Sequence, residues 1–415
     1  MSGFLYQISI RIFIVGAKVF ALFNSKARAF LAGRKTLFTD VKKAMQANTA
    51  PVIWIHCASL GEFEQGRPVL DKLKASNPNH KILLSFFSPS GYEVRKKYPA
   101  ADWVFYIPFD LPKHARLWVN LTKPALAIFV KYEFWPNILA ELKKKAVPVV
   151  SISSIFRPDQ IYFTNYGGLM REALRHVQHF FVQNDRSARL LTGIGINHVT
   201  VSGDTRFDRV YQITQSTEAI PIAKSFKDGQ KCFVVGSCWH QDLEVLAHFI
   251  NAERGRLKFI IAPHEISEAF IDQIVQSLEV TCVRYSHAES NWADADVLII
   301  DNMGLLSKLY RYGEFAWVGG AYGKGLHNIL EAACYGIPVF FGNKNYDRFQ
   351  EAVDLIDQGG AFAIADFVEL KQQYESILAL PENYIVACNA SKNYVEMNLG
   401  ATDKIVKYCQ SLLNA

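Results

Sequence analysis

Short apolar runs alternate with longer amphipathic segments along most of the chain. Ten of these runs have the character of strands, at residues 52–57, 81–86, 125–130, 147–152, 179–183, 232–237, 257–262, 296–301, 315–320 and 337–342. Several are apolar at consecutive positions, which is typical of parallel strands buried on both faces. Because helical patterns separate them, the sequence predicts an α/β protein with doubly wound parallel sheets.

The alternation lapses in a polar stretch that contains Pro221 and Gly229. A chain of 415 residues is long for one core, so we interpret residues 212–230 as a linker between two Rossmann-like domains. These domains cover residues 46–211 and 231–415, and the C-terminal helix could pack back on the first domain. Ligands of open α/β sheets bind at the carboxyl ends of the strands, which predicts a ligand cleft between the domains.

Residues 1–45 differ from the rest of the chain in charge. They contain eight lysines and arginines and one acid, a net charge of +7, in a chain whose overall net charge is +6. The remainder is close to neutral, which does not support a basic groove for nucleic acid. The seven cysteines include no C-x-x-C pair, which argues against a disulfide framework or a structural zinc site and favours a reducing cytoplasm.

Within this basic segment, residues 4–23 are long enough to span a bilayer. Arg11 and Lys18 lie seven positions apart, so on a helix they share one face, and Gln7 joins them one turn earlier. That pattern favours an amphipathic anchor lying in the membrane surface. A spanning helix and an ordinary core helix remain alternatives, whereas a cleaved signal peptide fits poorly because charges interrupt the apolar run.

The most informative segment is "WVGGAYGKGLHNILEAACYGIPVFFG", residues 317–342. A predicted strand is followed by four glycines and then by a helix expected to begin near His327, whose free amides would stabilise a phosphate. Lys324 could add a charge, and Asn328 and Glu331 lie one turn apart. A glycine-rich surface turn is the simpler interpretation. In a second α/β domain, however, the segment resembles the nucleotide-sugar site of two-domain glycosyltransferases of the GT-B fold, in which a helical glutamate binds the ribose hydroxyls.

Four segments together resemble one family more closely. They are "HCASLGE" (56–62), "YEFWPNIL" (132–139), "VSGDTRFD" (201–208) and "GGAYGKGLHNILEAACYGIPVFFG" (319–342). They are similar, in the same order, to the motifs of the Kdo transferases, which attach 3-deoxy-D-manno-octulosonic acid (Kdo) from CMP-Kdo to the lipid A precursor. The resemblance implies an inverting, metal-independent glycosyltransferase of lipopolysaccharide synthesis. It implies a GT-B fold without a cofactor and a location at the cytoplasmic face of the inner membrane of a Gram-negative bacterium.

The resemblance also implies roles for individual residues. Glu62 falls on the family's catalytic base, and Glu133 on its second functional acid. The residues that it places at the acceptor or at Kdo are Ser59 and Gly61, in the turn below the base, Arg157 and Arg206. It places Asn328 and Glu331 on the helix that contacts CMP, and the further residues that we expect at CMP-Kdo are Ser237, His264, Gly319, Gly320, Lys324, Gly325 and His327.

The chain departs from the family pattern at three positions. Lys131 replaces an acid that is common two residues before Glu133, which makes the local field more positive. Leu326 follows Gly325 where the family often has a second glycine. His264 follows Pro263 where many relatives have arginine, so it either contacts CMP or is a core or helix-capping histidine.

The expected chemistry sets further predictions. The dipole of the helix that begins near Glu62 should keep this acid ionised as a base, and Glu64, about 200° around that helix, should be a solvent or packing residue. His56 should support the Glu62 turn by hydrogen bonding. Asp294 and Asp296 form an Asp-x-Asp, which we interpret as a polar turn and not as a metal site. The alternatives are a GT-B enzyme or epimerase that uses a UDP-sugar, and a sugar-binding protein without catalysis.

Overall fold

The chain forms two units in the computed structural model, which describes residues 3–287 and 292–414. Unit 1 comprises residues 1–209 and 399–415, and unit 2 comprises residues 210–398. The stretch interpreted as a linker contains the end of a helix that runs to Thr214 and a second helix over Pro221–Lys227. Met1, Ser2 and Ala415, at the ends of the predicted domains, lie outside the described residues.

Unit 1 is built on a parallel sheet of seven strands. These are β1 Val52–Cys57, β2 Lys81–Phe86, β3 Trp103–Tyr106, β4 Pro124–Val130, β5 Val149–Ser154, β6 His179–Val182 and β7 Val199–Val201. Their order is β3-β2-β1-β4-β5-β6-β7, so the direction of winding reverses between β1 and β4. Ligands bind at such a switch point, beyond the carboxyl ends of the two central strands.

Helices cover both faces of this sheet. Successive residues of β1 accordingly belong in turn to two hydrophobic cores, one on each face. The helices are α1 Gly3–Phe20, α2 Ser25–Ala32, α3 Leu37–Met45, α4 Leu60–Ser76, α5 Pro89–Arg95, α6 Pro112–Thr122, α7 Pro136–Lys144, α8 Gly168–Leu174, α9 Asp185–Thr192 and α10 Thr205–Thr214. A single 3-10 turn of this unit, Ile161–Phe163, precedes α8 in the described chain. The chain returns to unit 1 in its C-terminal helix, which spans Ala401–Leu413 and adds Ile405, Val406 and Cys409 to the core above α4.

Unit 2 repeats the plan with a second parallel sheet of seven strands. These are β8 Cys232–Cys238, β9 Lys258–Pro263, β10 Cys282–Arg284, β11 Val297–Ile299, β12 Phe315–Val318, β13 Val339–Gly342 and β14 Ala361–Ile364. The order β10-β11-β9-β8-β12-β13-β14 puts the switch point between β8 and β12. The predicted fold class is confirmed, although the sequence pattern missed the short strands β3, β7, β10 and β14.

The helices of unit 2 are α11 Pro221–Lys227, α12 His240–Ala252, α13 Glu268–Ser277, α14 Leu306–Leu309, α15 Leu330–Ala333, α16 Gln350–Asp357, α17 Phe367–Ala379 and α18 Pro381–Met397. Two 3-10 turns, Trp292–Asp294 and Tyr310–Tyr312, complete the described elements. The returning helix Ala401–Leu413 of unit 1 is α19.

Helix α1 is the one described helix that is long and apolar enough to cross a membrane. Tyr6 is its buried residue, whereas most of its apolar side chains, including Phe4, Ile12 and Phe20, are exposed. By the hydrophobic effect, so much exposed apolar surface on one helix indicates a surface that normally meets an apolar partner.

Candidate functional site

The turn between β1 and α4 holds Glu62. β1 ends at Cys57, and α4 begins at Leu60 with Ser59 as its N-cap in an extended conformation. The Glu62 amide donates to the Ser59 hydroxyl at 3.5 Å, and the Ala58 amide donates to the Glu62 carboxylate at 2.5 Å. This arrangement is close to a capping box, and it fixes the Glu62 side chain against the end of β1.

The carboxyl group of Glu62 is only 8% exposed. Burial, and then the negative charge of Glu133, raise its pKa to about 7, against the opposing effects of the Ala58 amide and the charge of Lys131. The expectation that the helix dipole keeps this acid ionised is therefore wrong, since loss of hydration outweighs the favourable helix terminus. Glu62 is instead divided between its two protonation states near neutral pH.

Strand β4, next to β1, leads into the loop 131–135, which contains Glu133. Lys131 has a φ of 61°, and its carbonyl accepts hydrogen bonds from the hydroxyls of Ser151 at 3.2 Å and Ser154 at 2.7 Å. A lysine in the left-handed region is uncommon and is held there by its surroundings. The two serines thus fix the direction in which the loop leaves the sheet.

His56 contacts Glu133 and not the Glu62 turn, contrary to the sequence expectation. Its Nδ1 lies 2.9 Å from the Ser85 hydroxyl, and its Nε2 lies 3.9 Å from a carboxylate oxygen of Glu133. The imidazole is completely buried, whereas the Glu133 side chain is 18% exposed. His56 therefore lies beside Glu133, at a distance longer than a hydrogen bond.

Gly61 is exposed in the first turn of α4, and its role differs from the expected one. A Cβ at this position would meet only the Ser59 hydroxyl, 4.0 Å away, and the residue is absent from the described positive-φ glycines. The turn therefore does not require glycine, and it is the N-cap Ser59 that shapes it. What Gly61 provides is open space beside the first amides of the helix.

The two predicted arginines lie on other segments of unit 1. Burial and the charge of Glu62 raise the pKa of Tyr132, and the charge of Arg157 opposes this rise. Arg157 therefore lies at the same end of the sheet as the acids. Its side chain is 58% exposed. Arg206, at the start of α10, contacts the buried carboxylate of Asp204 at 2.8 Å. Arg206 is therefore already neutralised in part, whereas Arg157 is accessible to an anion.

Glu64 lies outside the site, among cations. Its carboxylate is 2.8 Å from Arg95, 3.5 Å from Arg67 and 3.7 Å from Arg209. Glu64 is thus a packing residue that joins α4 to α5 and α10, as the helical geometry predicts.

In unit 2, the glycine loop follows β12 at the switch point. A Cβ at Gly319 would lie 2.3 Å from the carbonyl oxygen of Ser237 and 2.5 Å from a carboxylate oxygen of Asp242. Gly320 has a φ of 97°, and a Cβ there would lie 2.6 Å from the carbonyl oxygen of Gly325. These two positions require glycine, because the loop folds closely against the end of β8.

The amides of the glycines are used within the loop. The Gly319 amide donates to the Gly236 carbonyl at 2.9 Å, and the Gly320 amide donates to Asp242 at 3.0 Å. The amides of Gly323 and Gly325 both donate to the Gly320 carbonyl, at 3.0 and 3.1 Å. The glycines therefore shape the loop, and a phosphate must be met by other groups.

His327, at the end of this loop, is a neutral imidazole with a defined tautomer. Burial, and then the charge of His264, lower its pKa to about 4. Its Nε2 lies 3.0 Å from the indole Nε1 of Trp239. Because an indole nitrogen can only donate, Nε2 of His327 accepts and its proton is on Nδ1. His327 can thus offer one N–H to a ligand, without a positive charge.

Trp239 is the centre of a stacked group in which the predicted donor residues meet. The His264 ring lies 4.0 Å from the Trp239 ring and 4.5 Å from that of His327, and Lys324 Nζ lies 5.1 Å from the Trp239 ring. His264 is thus neither a core nor a capping histidine but the exposed end of the stack. Lys324 supplies the positive charge there.

The helix after the loop is shorter than expected and begins later. α15 is limited to Leu330–Ala333, so Asn328 precedes it, and its Nδ2 donates to the Glu331 carboxylate at 3.1 Å. A single helical turn provides little dipole, so the expected phosphate site at a helix terminus is wrong. Ser237, on the other side of the switch point, has a φ of 51° and contributes its backbone to the packing of Gly319.

Sequence reasoning missed Asp242 and Trp239. The buried carboxylate of Asp242 accepts from the Trp239 amide at 2.9 Å and from the Trp317 indole at 3.2 Å, besides the Gly320 amide. Burial raises the pKa of Asp242 to about 6. A signal was present, since Asp242 occupies the first turn of the helix after β8, as Glu62 does after β1.

The Asp-x-Asp of unit 2 is engaged locally. Asp296 accepts hydrogen bonds from the amide and the hydroxyl of Thr281, at 3.2 and 2.9 Å. Over the described parts of the chain, no group of three or more His, Cys, Asp and Glu side chains is placed to hold a metal ion.

Comparison with known proteins connects this geometry to a family. The family model of 3-deoxy-D-manno-octulosonic-acid transferases (kdotransferases) matches residues 33–209. The 3-deoxy-D-manno-octulosonic acid transferase of Aquifex aeolicus is 27% identical over 339 residues, which cover 80% of this chain and 88% of the relative. That of Bordetella pertussis is 23% identical over 393 residues, covering 89% and 90%.

Solved structures show the same fold at low sequence identity. UDP-GlcNAc 2-epimerase from Neisseria meningitidis, bound to UDP-GlcNAc, matches with a TM-score of 0.62 and 15% identity over 87% of this chain and all of that one. A putative UDP-N-acetylglucosamine 2-epimerase from Listeria monocytogenes matches with a TM-score of 0.56 and 11% identity, over 86% and 95%. These likenesses show a GT-B-like fold and no more. The sequence comparisons are more specific: the kdotransferase family model matches residues 33–209, and relatives named 3-deoxy-D-manno-octulosonic acid (Kdo) transferases align over most of the chain.

Proposed function

We propose that the protein transfers Kdo from CMP-Kdo to the lipid A precursor lipid IVA, with Glu62 as the general base and without a resident metal ion. The observation that carries this proposal is the carboxyl of Glu62, which is buried at the switch point of unit 1 and has a pKa raised to about 7. A base is most effective when its pKa is close to the working pH.

In the proposed reaction, an acceptor hydroxyl oxygen attacks the anomeric carbon of Kdo. Its proton passes to the carboxylate of Glu62 while the bond from that carbon to the phosphate oxygen breaks and CMP leaves. The configuration inverts because this is a single displacement. The charge of Glu133 makes Glu62 more basic, and Lys131 opposes it, so these two side chains tune the base.

The groups of unit 2 suit the leaving phosphate, whose negative charge grows as the bond breaks. Lys324 supplies a cation, and His327 supplies a neutral N–H whose direction is fixed by the Trp239 indole. Fixed donors of this kind stabilise developing charge without reorganisation. Asn328 and Glu331, which already contact each other, would bind the ribose hydroxyls.

The lipid acceptor requires a membrane surface, for which helix α1 is suited. Phe4, Ile12 and Phe20 are exposed, and Lys18 lines a cavity of about 540 Å³ together with Lys35 and mainly apolar side chains. Exposed apolar and basic groups on one amphipathic helix bind anionic bilayers. We therefore propose that α1 lies in the cytoplasmic surface of the inner membrane of a Gram-negative bacterium.

The direct test is to incubate the purified protein with lipid IVA and CMP-Kdo generated in situ, and to follow the mass of the acceptor. We expect an increase by one or more Kdo units, and no increase when UDP-GlcNAc replaces the donor. Transfer from the UDP-sugar instead of CMP-Kdo would favour the alternative enzyme. Transfer should persist in EDTA, so a loss that Mg²⁺ restores would contradict the metal-free reaction.

A further inference from the structure

Asp110, in the segment between β3 and α6, is a completely buried carboxylate that the reaction does not use. It is surrounded by donors. Its oxygens accept from the Tyr6 hydroxyl at 2.8 Å, from the amides of Asn137 and Ile138 at 3.0 and 2.9 Å, and from Asn137 Nδ2 at 3.2 Å. Four donors around one carboxylate indicate that it is held in place to serve its neighbours.

The neighbour that depends most on Asp110 is the start of α7. Trp135 is the N-cap and provides no side-chain acceptor, and Pro136 has no amide hydrogen. The next two amides, those of Asn137 and Ile138, both donate to Asp110. Asp110 therefore caps α7 from 27 residues away in sequence, and α7 begins directly after the loop 131–135 that carries Glu133.

Helix α1 reaches the same point. Tyr6 is its one buried residue among the eighteen that the structure describes, and its hydroxyl donates to Asp110. The adjacent Gln7 donates from Nε2 to Asn137 Oδ1 at 2.9 Å. Two consecutive residues of α1 are thus hydrogen-bonded to the start of α7: Tyr6 to Asp110, which caps it, and Gln7 to Asn137, its second residue.

A second, apolar connection runs in parallel. The ring of Phe13 on α1 lies 6.3 Å from that of Phe87, which stacks at 5.2 Å on the ring of Trp135. Trp135 is two residues after Glu133. Both connections start on α1: the polar one ends on the first turn of α7, and the aromatic one ends on Trp135, the last residue of the loop 131–135.

We propose that α1 positions Glu133, with Tyr6 and Asp110 as positioning residues, in addition to binding the membrane. This inference rests on the proposed function, because it gives Glu133 a part in transfer. Catalytic groups must be held within a fraction of an ångström, and they are best held by neighbours that are themselves fixed. An anchor that merely tethers the enzyme would not need hydrogen bonds to Asp110 and Asn137, which fix the helix directly after the Glu133 loop.

The test compares Tyr6→Phe with Ser9→Ala in the full-length protein. Both remove one hydroxyl from α1, but that of Ser9 donates only to the carbonyl of Tyr6 in its own helix. We expect Tyr6→Phe to speed amide hydrogen exchange at Asn137 and Ile138 and to lower kcat, each about fivefold, the worth of one buried hydrogen bond. KM and sedimentation with anionic vesicles should stay unchanged, and Ser9→Ala should match the wild type throughout.

The exchange measurement does not depend on Kdo transfer, so it separates this inference from the proposed function. If wild-type protein transfers no Kdo, the proposed function fails, and exchange still decides whether α1 fixes the loop. Amide exchange and kcat that both stay unchanged in Tyr6→Phe would overturn the inference. A loss of kcat that is matched by an equal loss of vesicle binding would also overturn it, because the helix would then act only through the membrane. Gln7→Leu, which removes the neighbouring contact, should reproduce the effect in a second variant.

Discussion

The two switch points of the molecule have the same topology and opposite chemistry. In unit 1, the segments after β1 and β4 present acids, Glu62 and Glu133. In unit 2, the segments after β8 and β12 present Trp239, Lys324 and His327. The acids of unit 1 can accept a proton, whereas in unit 2 the equivalent acid, Asp242, is engaged by the loop amides and the other side chains can donate hydrogen bonds.

In the proposed reaction, this difference would divide the work of group transfer between the two sheets. A displacement needs a base for the attacking hydroxyl and stabilisation for the leaving group. Burial serves both ends: it raises the pKa of Glu62 to about 7, and it lowers the pKa of His327 to about 4. Each side chain is thereby brought to the uncharged or partly charged state that suits its proposed role.

The largest effect is expected from removing the base of unit 1. Glu62→Gln keeps an acceptor for the Ala58 amide but cannot take a proton, so kcat should fall by about 10²–10⁴-fold. Glu64→Gln, in the same helix, should stay within a few-fold of the wild type, since Glu64 contacts arginines outside the site. Equal losses in both variants, measured as the initial rate of Kdo transfer, would remove Glu62 from its assigned role.

The next effect concerns the shape of the donor loop of unit 2. Gly320→Ala adds a Cβ at a φ of 97° and 2.6 Å from the Gly325 carbonyl, so we expect a loss on the order of 1–3 kcal/mol, or about 5–150-fold in kcat/KM for the donor. In Gly323→Ala the nearest atom is 3.9 Å away, which makes it a matched control. A tolerated Gly320→Ala in donor titrations would show that the loop is not constrained.

A smaller effect should follow from freeing His327 to change its tautomer. Trp239→Phe keeps a ring in the stack but removes the indole N–H, so kcat/KM for CMP-Kdo should fall about fivefold, in keeping with one hydrogen bond. Trp292→Phe is the control, because its indole nitrogen has no partner among the described residues. An equal kcat/KM for CMP-Kdo in the two variants would show that His327 does not stabilise the leaving group.

The smallest expected effect is a shift in pH dependence. Glu62 acts when deprotonated, so kcat/KM should be low in acid and should rise to a plateau as the pH passes about 7. Lys131 lowers the pKa of Glu62, so Lys131→Met should move this midpoint upward by a fraction of a pH unit. Lys123→Met is the control, since Lys123 also has a positive φ, of 41°, in unit 1. A midpoint that moves downward, or moves equally in both variants, would contradict this account.

The sequence could predict the sheets because their central strands are long and apolar. It missed β3, β7, β10 and β14, in which at least half of the residues are not fully buried, so that their patterns are weak. It placed Glu62 correctly at the end of β1, because a strand followed by Ser59 and a helix is a local signal.

The electrostatics of the site could not be predicted from local sequence. Whether Glu62 is ionised depends on how deeply the whole unit buries it and on the charge of Glu133, 71 positions further along the chain. The length of α15 likewise depends on how the glycine loop closes on β8, and the contact of Asp110 with α7 joins distant segments. Tertiary structure decides each of these features.

The return of the chain to unit 1 has a consequence for synthesis. Unit 2 is continuous, whereas the core of unit 1 lacks Ile405, Val406 and Cys409 until α19 has been made. The Asp208 carboxylate accepts hydrogen bonds from the Gly400 and Thr402 amides, both at 2.7 Å. These bonds join the two stretches of unit 1 that precede and follow unit 2 in the sequence. On the ribosome, unit 2 can therefore complete its fold first, while Glu62 and Glu133 still lie in a unit 1 whose core is incomplete.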